Sequence, residues 1–292
     1  MRVLIIANPL VGVQREKREI VERIASYIAG KGGSADIAYI MKPGMGMKYS
    51  SRAALEGYDA VFSAGGDGTL NDVASGLVNR KTPLGVIPLG TGNGLARALR
   101  IPFEAEELIR MFDAGKIITI DAGQIASRSF FSVAGIGYDA FIAEDFNRRR
   151  SPRNTVKSLY VIAIKQYLLR RSERVTLVID GREITRKIFG LTVCNTGQYG
   201  AGAIISPESS VRDGKLDAVI IPRFNVFRGL RAMFKLFDGT IHTMKGLEYL
   251  PFTSLTINRV RPGLCQVDGE TFPAGKTVTV TIVPGALRVI VP

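Results

Sequence analysis

The sequence predicts an α/β protein that begins with a doubly wound parallel sheet and continues into a mostly antiparallel, sandwich-like β domain. Two observations predict this class. Apolar runs alternate with helical patterns as far as residue 118, and from residue 119 onward most apolar stretches alternate with a period of two. With 292 residues, of which 46% are hydrophobic, the chain is long enough for two ordinary domains. We place the boundary between residues 118 and 119.

In the first part, apolar runs of strand length predict strands at Arg2–Ala7, Ala35–Ile40 and Tyr58–Ala64, and within PLGVIPLG (83–90). Helical spacing predicts helices at Gln14–Gly30, Ser50–Glu56, Thr69–Val78, Asn93–Leu99 and Ala105–Ala114, with Ile20, Ile24 and Ile28 on one face of the first. Such alternation favours a parallel sheet covered by helices. In sheets of this kind, ligands bind at the carboxyl ends of the strands.

The second part contains clear hairpin signals. The segment RVTLVIDGREITRKIFGLTVCN (174–195) reads as two strands joined at Asp180-Gly181, and KTVTVTIV (276–283) alternates in the same way. Helices are predicted near Val156–Leu169 and Val226–Leu236. Because no low-complexity linker separates the two parts, we expect them to pack directly and to leave a cleft between them.

The net charge, the length of the apolar runs and the cysteine spacing bear on the type of partner and on the cellular location. A formal charge of +13 calls for a polyanionic partner, which could be nucleic acid, an anionic membrane or a phosphorylated substrate. No stretch approaches the roughly 20 uninterrupted apolar residues of a membrane span. Cys194 and Cys265 are far apart and belong to no C-x-x-C pair, so we expect free buried thiols and a cytoplasmic location.

The segment GGDGTLND (65–72) follows the third predicted strand. Its glycines permit backbone torsions closed to other residues, and Thr69 and Asn71 lie where a helix N-terminus attracts anions. A glycine-rich turn without a ligand is the plain alternative. Asp67 argues against it, because an acidic residue beside phosphate needs a bridging cation or a reacting hydroxyl.

A second glycine-rich string, PLGTGNGLARAL, follows the fourth strand, with Thr91 and Asn93 between glycines 90, 92 and 94. A third, NPLVG (8–12), follows the first strand as a loop. Loops at the same end of neighbouring parallel strands would converge on one phosphate chain.

Taken together, these strings resemble the soluble lipid kinases, which include cytoplasmic bacterial diacylglycerol kinases and eukaryotic diacylglycerol, sphingosine and ceramide kinases. The resemblance continues in order through IDAG, GIGYDA, NTGQYGAGAIISPESSVRDGKLDAVII, QVDGE and PGALRVIVP. It implies a nucleotide-binding domain over 1–118, a β-rich lipid-substrate domain over 119–292, an active site in the cleft between them, and use of ATP and Mg²⁺.

The resemblance also implies roles for individual residues. ATP would contact Asn8, Pro9, Leu10, Val11, Gly12, Gly65, Gly66, Asp67, Gly68, Thr69, Leu70, Asn71, Thr91, Gly92 and Asn93. Glu270 would be the general base, a role suited to phosphoryl transfer, which needs alignment, charge neutralisation and a proton acceptor. Read without the resemblance, Asp268-Gly269-Glu270 is a hairpin turn. Asp67 is a rival base or a ligand of the catalytic magnesium.

Two further sites come from the resemblance. A structural magnesium would be held by Asp213 with the backbone carbonyls of Ser210 and Lys215, which suits a hard cation. The alternative is a plain Asp-Gly turn. Asp121 would meet the lipid headgroup, although in isolation it reads as an ordinary loop aspartate.

Two positions depart from the family pattern. Met41 stands where many relatives have a nucleotide-contacting threonine, and Gly94 stands where bacterial diacylglycerol kinases often carry aspartate. The second departure keeps a sphingoid base or another long-chain lipid open as the acceptor in place of diacylglycerol.

The positive charge is concentrated in FNRRRSPRNTVKSLYVIAIKQYLLRRSER (146–174) and PRFNVFRGLRAMFKLF (222–237). Basic residues interleaved with aromatic and aliphatic ones are typical of an element that docks transiently on an anionic membrane, although a core-packed helix with a basic outer face gives the same pattern. We expect a lipid substrate and no nucleic-acid partner, and a homodimer stays open. An NAD kinase, or a non-catalytic lipid- or nucleic-acid-binding protein, is the less favoured alternative.

Overall fold

The structure is a computed structural model, described here for residues 1–148 and 156–292. It divides into two compact units, the first comprising Met1–Asp121 with Pro284–Pro292 and the second Ala122–Val283. Residues 149–155, which belong to the first basic segment, lie outside the described residues.

The first unit contains the alternating elements that the sequence predicts. In chain order they are β1 Arg2–Ala7, α1 Pro9–Val13, α2 Arg15–Gly30, β2 Ser34–Tyr39, α3 Met45–Leu55, β3 Ala60–Gly65, α4 Asp67–Ser75, β4 Leu84–Pro88, α5 Gly94–Ala98 and α6 Ala105–Ala114. Strand β5, Lys116–Ile125, begins in this unit and continues into the second.

The strands of the first unit form a parallel sheet in the order β2-β1-β3-β4. Strands β3 and β4 are buried along their whole length, as expected for a parallel sheet covered on both faces. On α2 the buried residues are Val21, Ile24 and Ile28, whereas Ile20, which the sequence analysis placed on that face, is partly exposed.

The second unit is dominated by antiparallel strands. Its further elements are β6 Arg128–Phe130, β7 Val133–Gly137, α7 Tyr138–Arg148, α8 Val156–Leu169, β8 Glu173–Ile179, β9 Arg182–Ile188, β10 Gly190–Cys194, β11 Gln198–Gly200, β12 Ala203–Ile204, β13 Leu216–Ile221, α9 Val226–Phe237, a 3₁₀ turn Ile241–Thr243, β14 Glu248–Phe252, β15 Ser254–Arg259, β16 Gly263–Val267, β17 Glu270–Ala274 and β18 Thr277–Val291.

Two antiparallel layers build the core of this unit. One has the order β14-β13-β10-β7-β16-β17, and the other runs from the first half of β18 through β15 and β8 to β9. Side chains from both layers, such as Ile136, Leu191, Leu177 and Ile257, are buried in one cluster. The expected sandwich-like β domain is therefore confirmed.

The predicted hairpin at Asp180-Gly181 is present, and Asp268-Gly269 forms a second turn of the same kind. All four residues have positive φ angles, of 46° and 85° in the first turn and 45° and 88° in the second. A two-residue turn of this geometry matches the twist of the flanking strands and favours Asp-Gly.

The structure corrects several expected boundaries. Helix α3 begins at Met45 instead of Ser50, and α4 begins at Asp67 instead of Thr69. The segment NPLVG, expected as a loop, is the short helix α1 capped by Asn8. No helix in the described ranges has the length and apolar character needed to cross a bilayer.

The C-terminal residues lie in a different unit from the one expected. Strand β18 continues past Val283 into the first unit, where Val289 pairs with Leu84 of β4 in parallel. The sequence analysis included all residues after 118 in the second domain, since a terminal strand that returns to an earlier sheet leaves no local signal. The boundary of the functional domains stays a prediction.

Candidate functional site

The three glycine-rich strings of the first unit follow adjacent strands. Strand β3 pairs in parallel with β1 on one side and β4 on the other, so the carboxyl ends of the three strands lie at one edge of the sheet. Helices α1, α4 and α5 begin there. This is the edge at which α/β sheets bind ligands.

The strings after β3 and β4 are in direct contact. A Cβ atom at Gly90 would lie 2.3 Å from the Gly66 Cα, and the Leu89 amide donates to the Gly65 carbonyl at 2.8 Å. Gly66 has a φ of −95°, and neither it nor Gly90 is among the residues with positive φ. Glycine is therefore required here by the close approach of two backbones, and the expectation that Gly66 serves a torsion closed to other residues is wrong.

Asp67 joins the two strings through its carboxylate. Its Oδ2 accepts from the Asn93 amide at 2.8 Å and its Oδ1 from the Gly94 amide at 2.7 Å. A carboxylate bonded by two backbone N–H groups at the start of α5 is stabilised by both the hydrogen bonds and the helix dipole. Asp67 thus fixes the second string relative to the first.

Asn93 closes the second string on itself. Its side-chain amide donates to the Gly90 carbonyl at 2.7 Å, and its Oδ1 accepts from the Gly90 amide at 3.1 Å. Asn93 is buried and has a φ of 53°, which asparagine tolerates better than most residues. Thr91, in contrast, is exposed at the tip.

Asn8 connects the third string to α4. Its Oδ1 accepts from the Leu10 amide at 2.9 Å and caps α1, while its Nδ2 donates to Thr69 Oγ1 at 3.4 Å. The side chains of Val11 and Leu70 are buried in the core. At those two predicted positions only the backbone could therefore meet a ligand.

The N-terminus of α4 carries the amides that an anion would need. The Leu70 amide donates to the Gly66 carbonyl at 2.9 Å as the first bond of the helix, and no side chain caps Gly66. The amides of Gly68 and Thr69 precede that bond and point out of the helix end. Together with the dipole, they suit a phosphate group.

In the second unit, Glu270 is the first residue of β17 and is exposed. The preceding Asp268 is 6% exposed, and its carboxylate accepts from the amides of Phe131, Ser132 and Val133 at 2.9, 2.8 and 3.0 Å. The plain hairpin interpretation is therefore right for the turn itself. It does not exclude a role for Glu270, because a rigid turn is a good support for a functional side chain.

Helix α7 holds the same turn from another side. Asn147 Nδ2 donates to the Gly269 carbonyl at 2.8 Å, and Thr271 donates its hydroxyl proton to Glu144. Glu144 also pairs with Arg148, and the Thr271 and Arg148 contacts lower the pKa of its carboxyl. The residues on both sides of Glu270 are thus bonded to one helix.

The expected magnesium loop is an Asp-Gly turn in the structure. Asp213 Oδ1 accepts from the Lys215 amide at 3.1 Å, and Gly214 has a φ of 72°. Within the described ranges, no group of three or more His, Cys, Asp or Glu side chains could hold a metal ion. A cation here would depend on one carboxylate and backbone oxygens, so the ligand role of Ser210, Asp213 and Lys215 stays a prediction.

The side chain of Asp121 is buried, whereas contact with a lipid headgroup needs an accessible carboxylate. It is 5% exposed, and its Oδ1 accepts from the Gly285 amide at 2.7 Å. This bond ties β5 to the returning end of β18 within the first unit. Contact with a lipid headgroup stays a prediction that the burial of Asp121 does not favour.

Sequence reasoning missed a polar cluster in which Thr192 is buried and Asp139 and Tyr199 are half-buried. Thr192 donates its hydroxyl proton to Asp139, and Tyr199 does the same at 3.0 Å. Burial raises the pKa of Asp139 to about 6. The strings GIGYDA and NTGQYGAG contain Asp139 and Tyr199, but no spacing rule connects residues so far apart in the chain.

The comparisons with known proteins cover both parts of the chain. Residues 2–125 match the model of the diacylglycerol kinase catalytic domain, and residues 132–291 match that of the YegS C-terminal NAD kinase beta sandwich-like domain. Together these matches exclude only the first residue, residues 126–131 and the last residue.

Among similar proteins, a diacylglycerol kinase of Mycobacterium tuberculosis is 31% identical over 82% of this chain and 79% of its own length. A diacylglycerol kinase of Bacillus subtilis is 28% identical over 92% of this chain and 89% of its own. In fold, the chain resembles the crystal structure of a diacylglycerol kinase from Bacillus anthracis, with a TM-score of 0.77, 22% identity, and coverage of 100% of this chain and 97% of that one. The chain therefore belongs to the diacylglycerol kinase-like family of lipid kinases, which are phosphotransferases.

Proposed function

We propose that this protein transfers the γ-phosphoryl group of ATP to the hydroxyl of a lipid, with diacylglycerol as the first candidate and phosphatidic acid as the product. The relatives named as diacylglycerol kinases support the substrate. The observation that carries the proposal is the junction of two strings at Asp67, which presents a helix N-terminus and two glycine-rich backbones at one sheet edge.

The residues of this edge fit a nucleotide. Neither Gly66 nor Gly90 carries a side chain where the two strings meet, and the amides of Gly68 and Thr69 are donors for phosphate oxygens. Exposed Thr91 and the backbone of Gly92 would add contacts at the tip of the second string. The nucleotide itself supplies the transferable phosphoryl group.

Magnesium is part of the proposal because phosphoryl transfer concentrates negative charge that a divalent cation neutralises. Asp213 with the carbonyls of Ser210 and Lys215 is the proposed structural site. Asp67 stays the candidate ligand for a magnesium on the phosphates, because carboxylate oxygens are ligands that this hard cation prefers.

Glu270 is the proposed general base. In this role its carboxylate accepts the proton of the lipid hydroxyl as the oxygen attacks the γ-phosphorus and the bond from that phosphorus to ADP breaks. ADP leaves, and the proton later passes to solvent. Its exposure and the fixed turn beneath it support the assignment. Asp67 is the weaker candidate, because both of its oxygens already accept backbone N–H groups.

The proposal assigns nucleotide binding to residues 1–118 and lipid binding to 119–292. It places the protein in the cytoplasm, with transient contact to an anionic membrane. The free, buried Cys194 and Cys265 support a reducing compartment. Self-association stays open and is tested by light scattering of the purified chain.

One assay tests the activity. The purified chain is incubated with γ-labelled ATP, Mg²⁺ and, in separate reactions, diacylglycerol, a sphingoid base and NAD. We expect label in phosphatidic acid. Label only in the sphingoid product would show that the acceptor is a sphingoid base instead of diacylglycerol. Label only in NADP would show that the protein is an NAD kinase. Label in none of the products would refute the proposal.

A further inference from the structure

Helix α9 exposes large apolar side chains along one face. Phe227 is 83% exposed and Phe234 is 73% exposed. Because successive helical residues are turned by about 100°, the exposed residues of this face share roughly a third of the circumference. The members are Val226, Phe227, Leu230, Phe234 and Phe237.

The opposite side of α9 is packed on the protein. Ala232 and Leu236 lie against a buried cluster that includes Val219, Phe224 and Ile241. The exposed phenylalanines are therefore not the core-facing side of the helix. They remain exposed although the other side of α9 is packed in the second unit.

Helix α8 lies beside α9 and runs in the opposite direction. The rings of Tyr160 and Phe237 are 5.4 Å apart at one end, and near the other end a Cβ at Gly229 would lie 3.7 Å from the Tyr167 ring. Helix α8 also exposes large apolar side chains, which are Val161, Ile164, Leu168 and Leu169. We name these residues, with the exposed apolar residues of α9, the α8–α9 face.

All charged side chains within α8 and α9 are cations. The sequences of α8 and α9 contain no Asp or Glu, whereas α9 contains Arg228, Arg231 and Lys235. Among the ion pairs of the described residues, none includes these three cations. The side chain of Arg228 donates to the Lys245 carbonyl, and that of Lys235 to the hydroxyls of Thr240 and Thr243. Asp238, just after α9, also interacts electrostatically with Lys235.

An anionic bilayer fits both properties. Its hydrocarbon boundary accepts phenylalanine and leucine side chains, and its headgroups attract the cations beside them. A nucleic acid would satisfy the cations but not the exposed Phe227 and Phe234, since two neighbouring helices with aliphatic residues offer no stacking platform. A soluble acidic protein is the remaining occupant, and the test below separates it.

We propose that the α8–α9 face inserts into the surface of an anionic bilayer, where its apolar side chains enter the hydrocarbon boundary while Arg228, Arg231 and Lys235 contact the headgroups. The inference extends the proposed function, because it names the surface through which the enzyme reaches an acceptor dissolved in the membrane. The biological purpose of the surface rests on the proposed function, but vesicle binding can be measured whether or not the protein is a kinase.

The test uses the full chain and vesicles of phosphatidylcholine alone or mixed equally with phosphatidylglycerol. We expect the chain to sediment with the mixed vesicles and to sediment less as the salt concentration rises. The Phe227→Ser/Phe234→Ser variant should bind these vesicles about tenfold more weakly. Leu55→Ser/Val260→Ser is the matched control, since Leu55 and Val260 are 73% and 70% exposed but lie outside the α8–α9 face. Arg231→Gln should weaken binding to mixed vesicles only.

A soluble short-chain diacylglycerol keeps the two proposals distinguishable. The double phenylalanine variant should phosphorylate this acceptor like the wild type and lose activity only on vesicles; an unchanged thermal melt shows that it is folded. Vesicle binding without phosphorylation of any acceptor would refute the function and keep the surface. The proposal that the α8–α9 face binds an anionic bilayer would be refuted if the double variant sedimented like the wild type. Equal binding of the wild type to neutral and anionic vesicles would also refute it.

Discussion

Asp67 and Glu270 are carboxylates in two regions that the fold treats differently. Asp67 starts a helix, and each of its oxygens accepts a backbone amide from the next glycine-rich string. Glu270 starts a strand, is exposed, and follows a turn whose own aspartate takes up three amides. Asp67 therefore connects two backbone segments, whereas the side chain of Glu270 is exposed beside a turn that other residues fix.

The largest expected effect comes from Glu270→Gln. Removing the proton acceptor should lower kcat about 100-fold or more while ATP binding changes little. Steady-state kinetics and a nucleotide-binding titration measure the two quantities. Glu183→Gln is the matched control, because Glu183 is an exposed glutamate just after the other Asp-Gly hairpin turn. Loss of ATP binding in Glu270→Gln would remove Glu270 from the base role.

Asp139 is a carboxylate whose pKa is raised by burial, although hydrogen bonds from Thr192, Tyr199 and its own backbone amide lower it. Its folded-state pKa of about 6 lies above the unfolded value of 3.8, so the protonated form is favoured in the fold. The stability that Asp139 contributes is therefore present below about pH 4 and is lost as pH rises through about 6. The unfolding free energy of Asp139→Asn relative to wild type should increase by about 2 kcal/mol between pH 4 and pH 7.

Denaturant titrations at the two pH values measure this difference. Asp180→Asn is the control of opposite sign, because hydrogen bonds from Ser254 and Thr253 lower the pKa of Asp180. Asp180 should contribute stability at neutral pH that is lost on acidification. A difference between Asp139→Asn and wild type that does not vary with pH would contradict the assigned environment of Asp139.

Asp67→Asn separates a positioning role from a catalytic one. The amide group of asparagine would face a backbone N–H where an oxygen now accepts it, which costs about 1–3 kcal/mol. We expect the KM for ATP to rise about tenfold, and kcat to fall much less than in Glu270→Gln. If kcat fell as steeply as in Glu270→Gln with KM unchanged, Asp67 would be the base.

The smallest effect is expected for Asn147→Ala. It removes the donor to the Gly269 carbonyl, and a hydrogen bond of this kind contributes about 1 kcal/mol, so kcat should fall about fivefold at most with KM for ATP unchanged. Asn258→Ala, which removes an acceptor for Thr277, is the control. Equal kcat values for the two variants would show that α7 does not position Glu270.

Much of the first unit could be predicted because its signals are local. Strand β1 and helix α6 have the bounds that their periodicity indicated, and so does α8 of the second unit. The strings at the sheet edge were found through glycine and asparagine. The reason for glycine at positions 66 and 90 could not be predicted in this way, because these residues follow different strands and their contact forms only in the fold.

Long-range features account for the misses. The return of β18 to β4, the bond between Asp121 and Gly285, and the cluster at Asp139 all connect distant segments. The sequence also left the basic segment at 222–237 with two interpretations, a core helix or a docking helix. Both describe α9 in part, since one side is packed and the other exposes Phe227 and Phe234.

By itself the sequence determined the order of elements, the two Asp-Gly turns, the family and the excess of positive charge, because each depends on neighbouring residues or on composition. Tertiary structure alone decided which carboxylate is tied down and which is exposed, and which side of α9 is left uncovered. Hydrogen-bond partners and burial depend on what folding brings near a residue, and the order of residues along the chain does not encode that in any local pattern.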